Sequence, residues 1–198
     1  MARPREFDVE DALAKAMGVF WQHGYEGASL PRLLTGMELS RGSFYKAYSD
    51  KKSLFLAALA HYEAEAVTPP VAHLTSDNEP DGIVRIMDVF DGVLETVRKG
   101  DRRGCLLCTA SAGPTCDDPD IAGPVQAQLD RMQQGFRAAL AKSPVHQDLP
   151  EAQLVQISVL LLTQYIGLRI MSRGHAPLKT IEQSVAALKT QMDTRAVP

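Results

Sequence analysis

Apolar residues fall at helical spacing along most of the chain, and strand-like alternation persists nowhere over a useful window. Val9, Leu13, Met17 and Phe20 lie at i, i+4, i+8 and i+11, which predicts a helix with one apolar face ending near Gly24. Ser29 is placed to cap a short helix through Leu30, Leu33 and Leu34, with Pro31 near its first turn. Ser40 predicts a second short helix running from Arg41 towards Tyr48. Asp50 then caps a longer helix carrying Leu54, Phe55, Ala58, Leu59 and Tyr62. Thr68-Pro69-Pro70, followed by Asn78-Glu79-Pro80-Asp81-Gly82, predicts that this helix stops and a boundary zone begins. Beyond it, residues 83–97, 105–112, 124–141, 151–172 and 177–192 all carry helical patterns, punctuated by Gly104, Gly113-Pro114 and Gly174. The expected architecture is all-α. A helix-turn-helix unit occupies residues 1–50, a linking helix 51–67, and a larger helical bundle for effector binding and dimerisation 68–198.

Composition narrows the setting. With 45% apolar and 23% charged residues the chain can bury a core, which excludes a disordered protein. No unbroken apolar run approaches the ~18 residues of a membrane span. Residues 1–8 lack the apolar stretch of a secretory leader, so no membrane contact and a cytoplasmic location are expected. Three cysteines do not form a disulfide scaffold. The formal net charge is −3, so any nucleic-acid surface must come from local clustering.

Such a cluster exists. Between Ser29 and Ser53, five cations (Arg32, Arg41, Lys46, Lys51, Lys52) face two acids (Glu38, Asp50). Two short helices with a tight turn between Met37 and Ser40, braced by longer helices on either side, form a helix-turn-helix pattern. The second short helix presents Arg41, Ser43, Tyr45 and Lys46 outward and Phe44 inward. Arg41 suits guanine O6 and N7 in a major groove, Ser43 suits a base edge, and Tyr45 and Lys51 suit phosphates. A cation patch of this size is also what an ordinary solvated face looks like.

The run Gly24-Tyr25-Glu26-Gly27-Ala28-Ser29-Leu30, followed by residues 39–55, resembles the DNA-binding domain of the TetR family of transcriptional regulators. Gly42, Phe44, Tyr45, Tyr48, Lys51 and Leu54 match the family pattern in order and spacing. The resemblance covers about the first third of the chain. It implies a double-stranded DNA operator as partner, with Ser29, Arg32, Arg41, Gly42, Ser43, Tyr45, Lys46, Tyr48 and Lys51 as contact residues. It also implies a homodimer through the last two long helices, and a repressor released by a small-molecule effector or by cysteine modification. Residues 154–171 are apolar nearly all the way round, and Leu178, Ile181, Val185, Leu188 and Met192 form a stripe on the next helix. One departure stands out: Glu38 occupies the turn position where the family commonly has Gly, and a left-handed backbone there costs a Glu about 1 kcal/mol.

Arg102-Arg103-Gly104-Cys105-Leu106-Leu107-Cys108 places Cys105 in a first helical turn beside two arginines, both of which favour thiolate. Cys108 lies one turn on, and Cys116 beside Asp117 and Asp118 is a candidate resolving thiol. The Gly-Cys-Leu segment resembles a branch of TetR-like repressors that respond to electrophiles or oxidants. The description that Cys105 and Cys108 fit first is that of small buried hydrophobes, as free cysteines usually are. His73, His146 and His175 show no spacing that would complete a zinc site with them, and neither metal nor cofactor is expected. A non-covalent effector would draw on Met87, Phe90, Leu94, Phe136 and Tyr165. The competing functions are a Cys-x-x-Cys redox protein, which calls for a βαβ context, and a helical partner-binding module without DNA reading. No nucleophile–base constellation marks an enzyme.

Overall fold

The computed structural model describes residues 8–193, and all regular structure among them is helical. Of the N-terminal run read for a leader, residues 1–7 lie outside the described residues. Helix α1 (Val9–Gly27) starts at Asp8, whose carboxylate accepts from the Glu10 and Asp11 amides at 2.9 and 3.3 Å. At Gly24 the backbone turns left-handed (φ 69°), so the last residues form a separate turn kinked from the main helix. The buried face is Ala12, Ala16, Met17 and Phe20; Val9, expected on it, is 54% exposed in the first turn. The two alanines allow close packing on α4.

Helices α2 (Leu30–Gly36) and α3 (Arg41–Ala47) are capped where expected. Ser29 accepts from the Arg32 amide, and Ser40 from the Ser43 amide at 3.1 Å. Between them Glu38 takes φ 57°, the left-handed turn anticipated from its position. Its carboxylate meets Lys15 of α1 at 2.6 Å, an exposed pair of the kind that adds little stability. Glu38→Gly is therefore expected to raise stability by up to about 1 kcal/mol, seen as a higher urea midpoint at unchanged slope.

Helix α4 (Lys51–Tyr62) opens with a reciprocal capping box between Asp50 and Ser53. The expectation that Thr68-Pro69-Pro70 ends this helix is corrected. A π-helical segment, Glu63–Val67, follows directly and passes into α5 (Thr68–Thr75), with the prolines in its first turn. The wider π turn relieves the clash the rings would have with carbonyls one turn back. At a helix start their missing N–H groups leave nothing unsatisfied.

The loop around Asn78 leads to α6 (Gly82–Arg98), capped by Asp81. Gly82 lies so close to α8 that a Cβ there would stand 1.7 Å from the Ala139 carbonyl oxygen. Then come α7 (Leu106–Ser111), a short 3₁₀ turn (Pro114–Asp117), α8 (Pro119–Leu140), α9 (Glu151–Arg173) and α10 (Leu178–Met192). Helix α8 begins five residues before the expected Pro124, at Asp118-Pro119, because Asp118 caps it and Pro119 takes its first position.

Helices α5, α6, α8 and α9 enclose a core centred on Phe90 and Phe136 (ring centroids 5.9 Å apart). Leu154, Ile157, Leu161 and Leu168 of α9 enter this core, whereas Val155, Val159, Leu160 and Ile170 are exposed. The α10 stripe (Ile181, Val185, Leu188, Met192) is buried within its own chain, where α10 packs chiefly on α6. The open apolar strip is thus on α9.

Candidate functional site

The second short helix of the helix-turn-helix unit is anchored by Phe44. Phe44 is fully buried, with Tyr45 edge-on to it at 5.1 Å and Tyr48 tilted against it at 5.9 Å. Arg41, Tyr45 and Lys46 are exposed on the outer side of α3, and the Arg41 guanidinium lies 5.9 Å above the Tyr45 ring. Gly42 is exposed too. A Cβ there would come no closer to any other group than 3.9 Å from Ser40, so the fold does not require a glycine; the bare position leaves backbone open to close approach.

Other expected contact residues are partly committed within the protein. The hydroxyls of Ser40 and Ser43 hydrogen-bond each other at 2.9 Å, and Ser29 caps α2. Arg32 donates to the Gly27 carbonyl at 2.7 Å, tying α2 to the end of α1. Tyr48 is half-buried, and burial raises its pKa. The Lys51 ammonium sits 4.2 Å over the Tyr25 ring. Lys52, counted above among the cations, is neutralised by Asp118 and Asp120 of α8 at 2.8 and 2.6 Å. Those partners lie more than sixty residues away in sequence, and nothing local announces them.

The second constellation surrounds the cysteines. Cys105 is the N-cap of α7 in extended backbone, one position before the expected first turn, and is 5% exposed. Gly104 before it has φ 74°, and a Cβ there would strike the Arg169 carbonyl oxygen at 2.8 Å; only glycine lets this segment lie against α9. The expected arginine neighbours are elsewhere. Arg103 pairs with Asp101 at 2.6 Å and stacks on Trp21 at 4.1 Å, and Arg102 donates to the Ala176 carbonyl. The cation acting on Cys105 is instead Arg169, from α9.

The Cys105 thiol is pulled down from the ordinary 9.0 to about 6. The main cause is a hydrogen bond with Cys108; the Tyr62 hydroxyl donating at 3.5 Å and the Arg169 charge add to it, while burial opposes. Cys108 shifts the other way, its proton held between the two sulfurs and its own burial disfavouring charge. Cys116 is exposed, within the 3₁₀ turn Pro114–Asp117.

Both cysteines line a cavity of about 570 Å³ at the junction of the two parts of the chain. Residues 23–26 of α1 form one wall, and Arg169, Ile170 and Arg173 of α9 another. Arg173 also closes the end of α1, donating to the carbonyls of Trp21 (2.8 Å), Gln22 (3.0 Å) and Arg103 (3.0 Å). Of the five residues expected around an effector, Phe90, Phe136 and Tyr165 pack on one another, and Met87 and Leu94 are buried. Tyr165 lines a second cavity of about 320 Å³ beside His73 and Asp88. Among the described residues no group of three or more His, Cys, Asp or Glu side chains converges as a metal site.

Residues 12–58 match the family model for bacterial regulatory proteins of the tetR family. The Escherichia coli K12 repressor ComR is 26% identical over 183 residues, spanning 91% of this chain and 87% of its own. A cysteine-substituted form of CifR, a TetR family transcriptional regulator solved with 26-base-pair operator DNA, superposes with a TM-score of 0.83. It is 28% identical and covers 99% of this chain and 100% of its own. The reduced form of E. coli NemR shares the fold at a TM-score of 0.76, with 21% identity and coverage of 91% and 94%.

Proposed function

The chain belongs to the TetR family of transcriptional regulators, and from that premise we propose that it is a dimeric repressor reading a palindromic operator with α3. The observation that carries this is the outward set Arg41, Gly42, Tyr45 and Lys46 on a helix pinned by the buried Phe44. In this pose Arg41 reads a base edge, Tyr45 and Lys46 meet phosphates, and the open backbone at Gly42 lets the helix sit deep. Lys51 steadies Tyr25 as well as facing the DNA side. The exposed strip Val155, Val159, Leu160 and Ile170 on α9 supports pairing with a second copy. A helix with one face in its own core and an apolar strip on the other fits a dimer seam, and the site of action is the cytoplasm.

Release follows from the thiol cavity. Cys105 modification, or a small molecule entering beside it, pushes on α1 and α9 together and moves the reading units away from the half-site spacing. Fluorescence anisotropy with a duplex from upstream of the protein's own gene, before and after mild thiol modification, tests both halves. Tight, salt-sensitive binding that modification abolishes is expected; binding no better than to a scrambled duplex from any operator selection overturns the repressor reading. Arg41→Ala is expected to relax base preference by about 1–3 kcal/mol at one position, whereas Lys46→Ala weakens all sequences alike and lowers the salt slope by about 1. If Arg41→Ala leaves affinity and preference unchanged, α3 is not the reading helix.

A further inference from the structure

Among the described residues Arg169 makes no ion pair with a carboxylate; its charge reaches Asp101, but Arg103 already holds that carboxylate at 2.6 Å. Its Nε is buried and meets no hydrogen-bond acceptor among the described residues. Apart from Asp101, the groups acting on it are Tyr165, Tyr62, which also hydrogen-bonds it, and Cys105, whose thiol is shifted towards the thiolate. The neighbouring Arg173 differs, since its guanidinium is engaged by three backbone carbonyls. Arg169 lines the thiol cavity, whose other walls include Tyr25, Ala112, Pro114 and Ile170, an apolar surround for a small ligand. Glu26 stands on the same cavity and repels a second negative charge.

We propose that this cavity accepts a small molecule with an apolar body and a single carboxylate, bound by Arg169, in addition to its role around Cys105. The proposal rests on the reading of the cavity as the sensory site. A carboxylate matches the planar guanidinium, and an apolar tail covers Ile170 and Pro114. The Cys105 thiolate and the ligand carboxylate compete for one cation. Removing the sulfur's charge, by alkylation or by Cys105→Ser, therefore opens the site to the acid. A haloacid such as iodoacetate forms an S–C bond to the Cys105 thiolate as its C–I bond breaks and iodide leaves, and the carboxylate of that adduct takes the place of the lost thiolate charge.

Calorimetric titration of the DNA-free dimer at pH 8 with hexanoate and with the isosteric neutral hexanamide tests this. In Cys105→Ser, hexanoate is expected to bind about tenfold or more tightly than the amide, and several-fold more tightly than it binds the unaltered protein. Arg169→Met, with helicity checked by circular dichroism, is expected to abolish the preference for the acid. Where that variant does not fold, Arg169→Lys decides, because its ammonium keeps the charge and loses the two-pronged fit, so the preference shrinks and survives. Equal binding of acid and amide in Cys105→Ser overturns the proposal, as does no binding of either, or a preference that Arg169→Met or Arg169→Lys leaves untouched. No DNA enters the titration, so these failures leave the repressor reading standing, and loss of operator binding in a separate assay leaves the titration unaffected.

Discussion

Phe44→Ala is expected to abolish operator binding while leaving most of the helix content intact. The side chain is fully buried in a small three-helix unit and is the contact on which Tyr45 and Tyr48 both rest. Truncating a buried Phe costs about 3–5 kcal/mol, partly lost transfer energy and partly the cavity left behind. A unit this small has few other contacts to absorb the loss, so α3 detaches from α1 and α2 and the outer side chains lose their common plane. Because each 1.4 kcal/mol is tenfold, affinity should fall by at least roughly a hundredfold. Phe90, Phe136 and Tyr165 pack on one another rather than on Phe44, so the larger bundle is expected to keep most of its packing. Phe44→Leu, which retains most of the volume, should cost about 1.5 kcal/mol or less and keep measurable binding. Wild-type affinity in Phe44→Ala would show that something other than this side chain positions the reading helix.

The second large effect concerns the rate at which Cys105 is alkylated. A thiol with a pKa of about 6 is roughly nine-tenths ionised at pH 7, where an ordinary cysteine is only a few per cent ionised. Iodoacetamide labelling of Cys105 in the folded protein should therefore rise to half its plateau near pH 6 and flatten by about pH 7. Cys108→Ala removes the main group favouring the thiolate and moves the curve to higher pH, while Cys105→Ser removes the fast labelling altogether. The linkage runs in the same direction. The folded pKa is depressed, so the stabilisation is complete above the ordinary thiol value of 9.0 and disappears as pH falls through about 6. A labelling curve still climbing steeply between pH 8 and 9 would return Cys105 to the status of a core residue.

The parts of the fold that sequence made legible are those decided within one turn of helix. Ser29, Ser40 and Asp50 announce their caps because an oxygen at that position satisfies amides three residues on. The strained turn at Glu38 was visible because a Glu stands where a Gly usually does. Thr68-Pro69-Pro70 misled because a proline pair ends a helix only if the turn before it stays α-helical, and the π turn that changes this has no local signature. Residues of the reading unit were also legible as a set, while the division of labour among them was not. Lys51 and Lys52 look alike in sequence, yet one rests on an aromatic ring and the other on two distant carboxylates. Arg169 was missed for the same reason: from its own neighbours it is a lone charge in an apolar helix, and its meaning comes from Cys105 and Tyr62, brought to it by folding. Arg102 and Arg103 were the tempting substitutes because adjacency in sequence is easily taken for adjacency in space.

The bond network of Arg173 gives the molecule a latch. The reading unit joins the body through α4 and its π-helical extension, and is held besides by Lys52 on Asp118 and Asp120 and by Trp21 under Arg103. A further attachment at the end of α1, one guanidinium across the carbonyls of Trp21, Gln22 and Arg103, stiffens that joint. That attachment sits in the wall of the cavity that holds the cysteines and on the same helix as the exposed apolar strip. Opening it does not require the reading unit to be dragged into a second defined pose. It is enough that the unit gains some freedom to swing, since two heads that each wander rarely meet both halves of a site at once, and release becomes a matter of lost entropy of alignment rather than of a new structure.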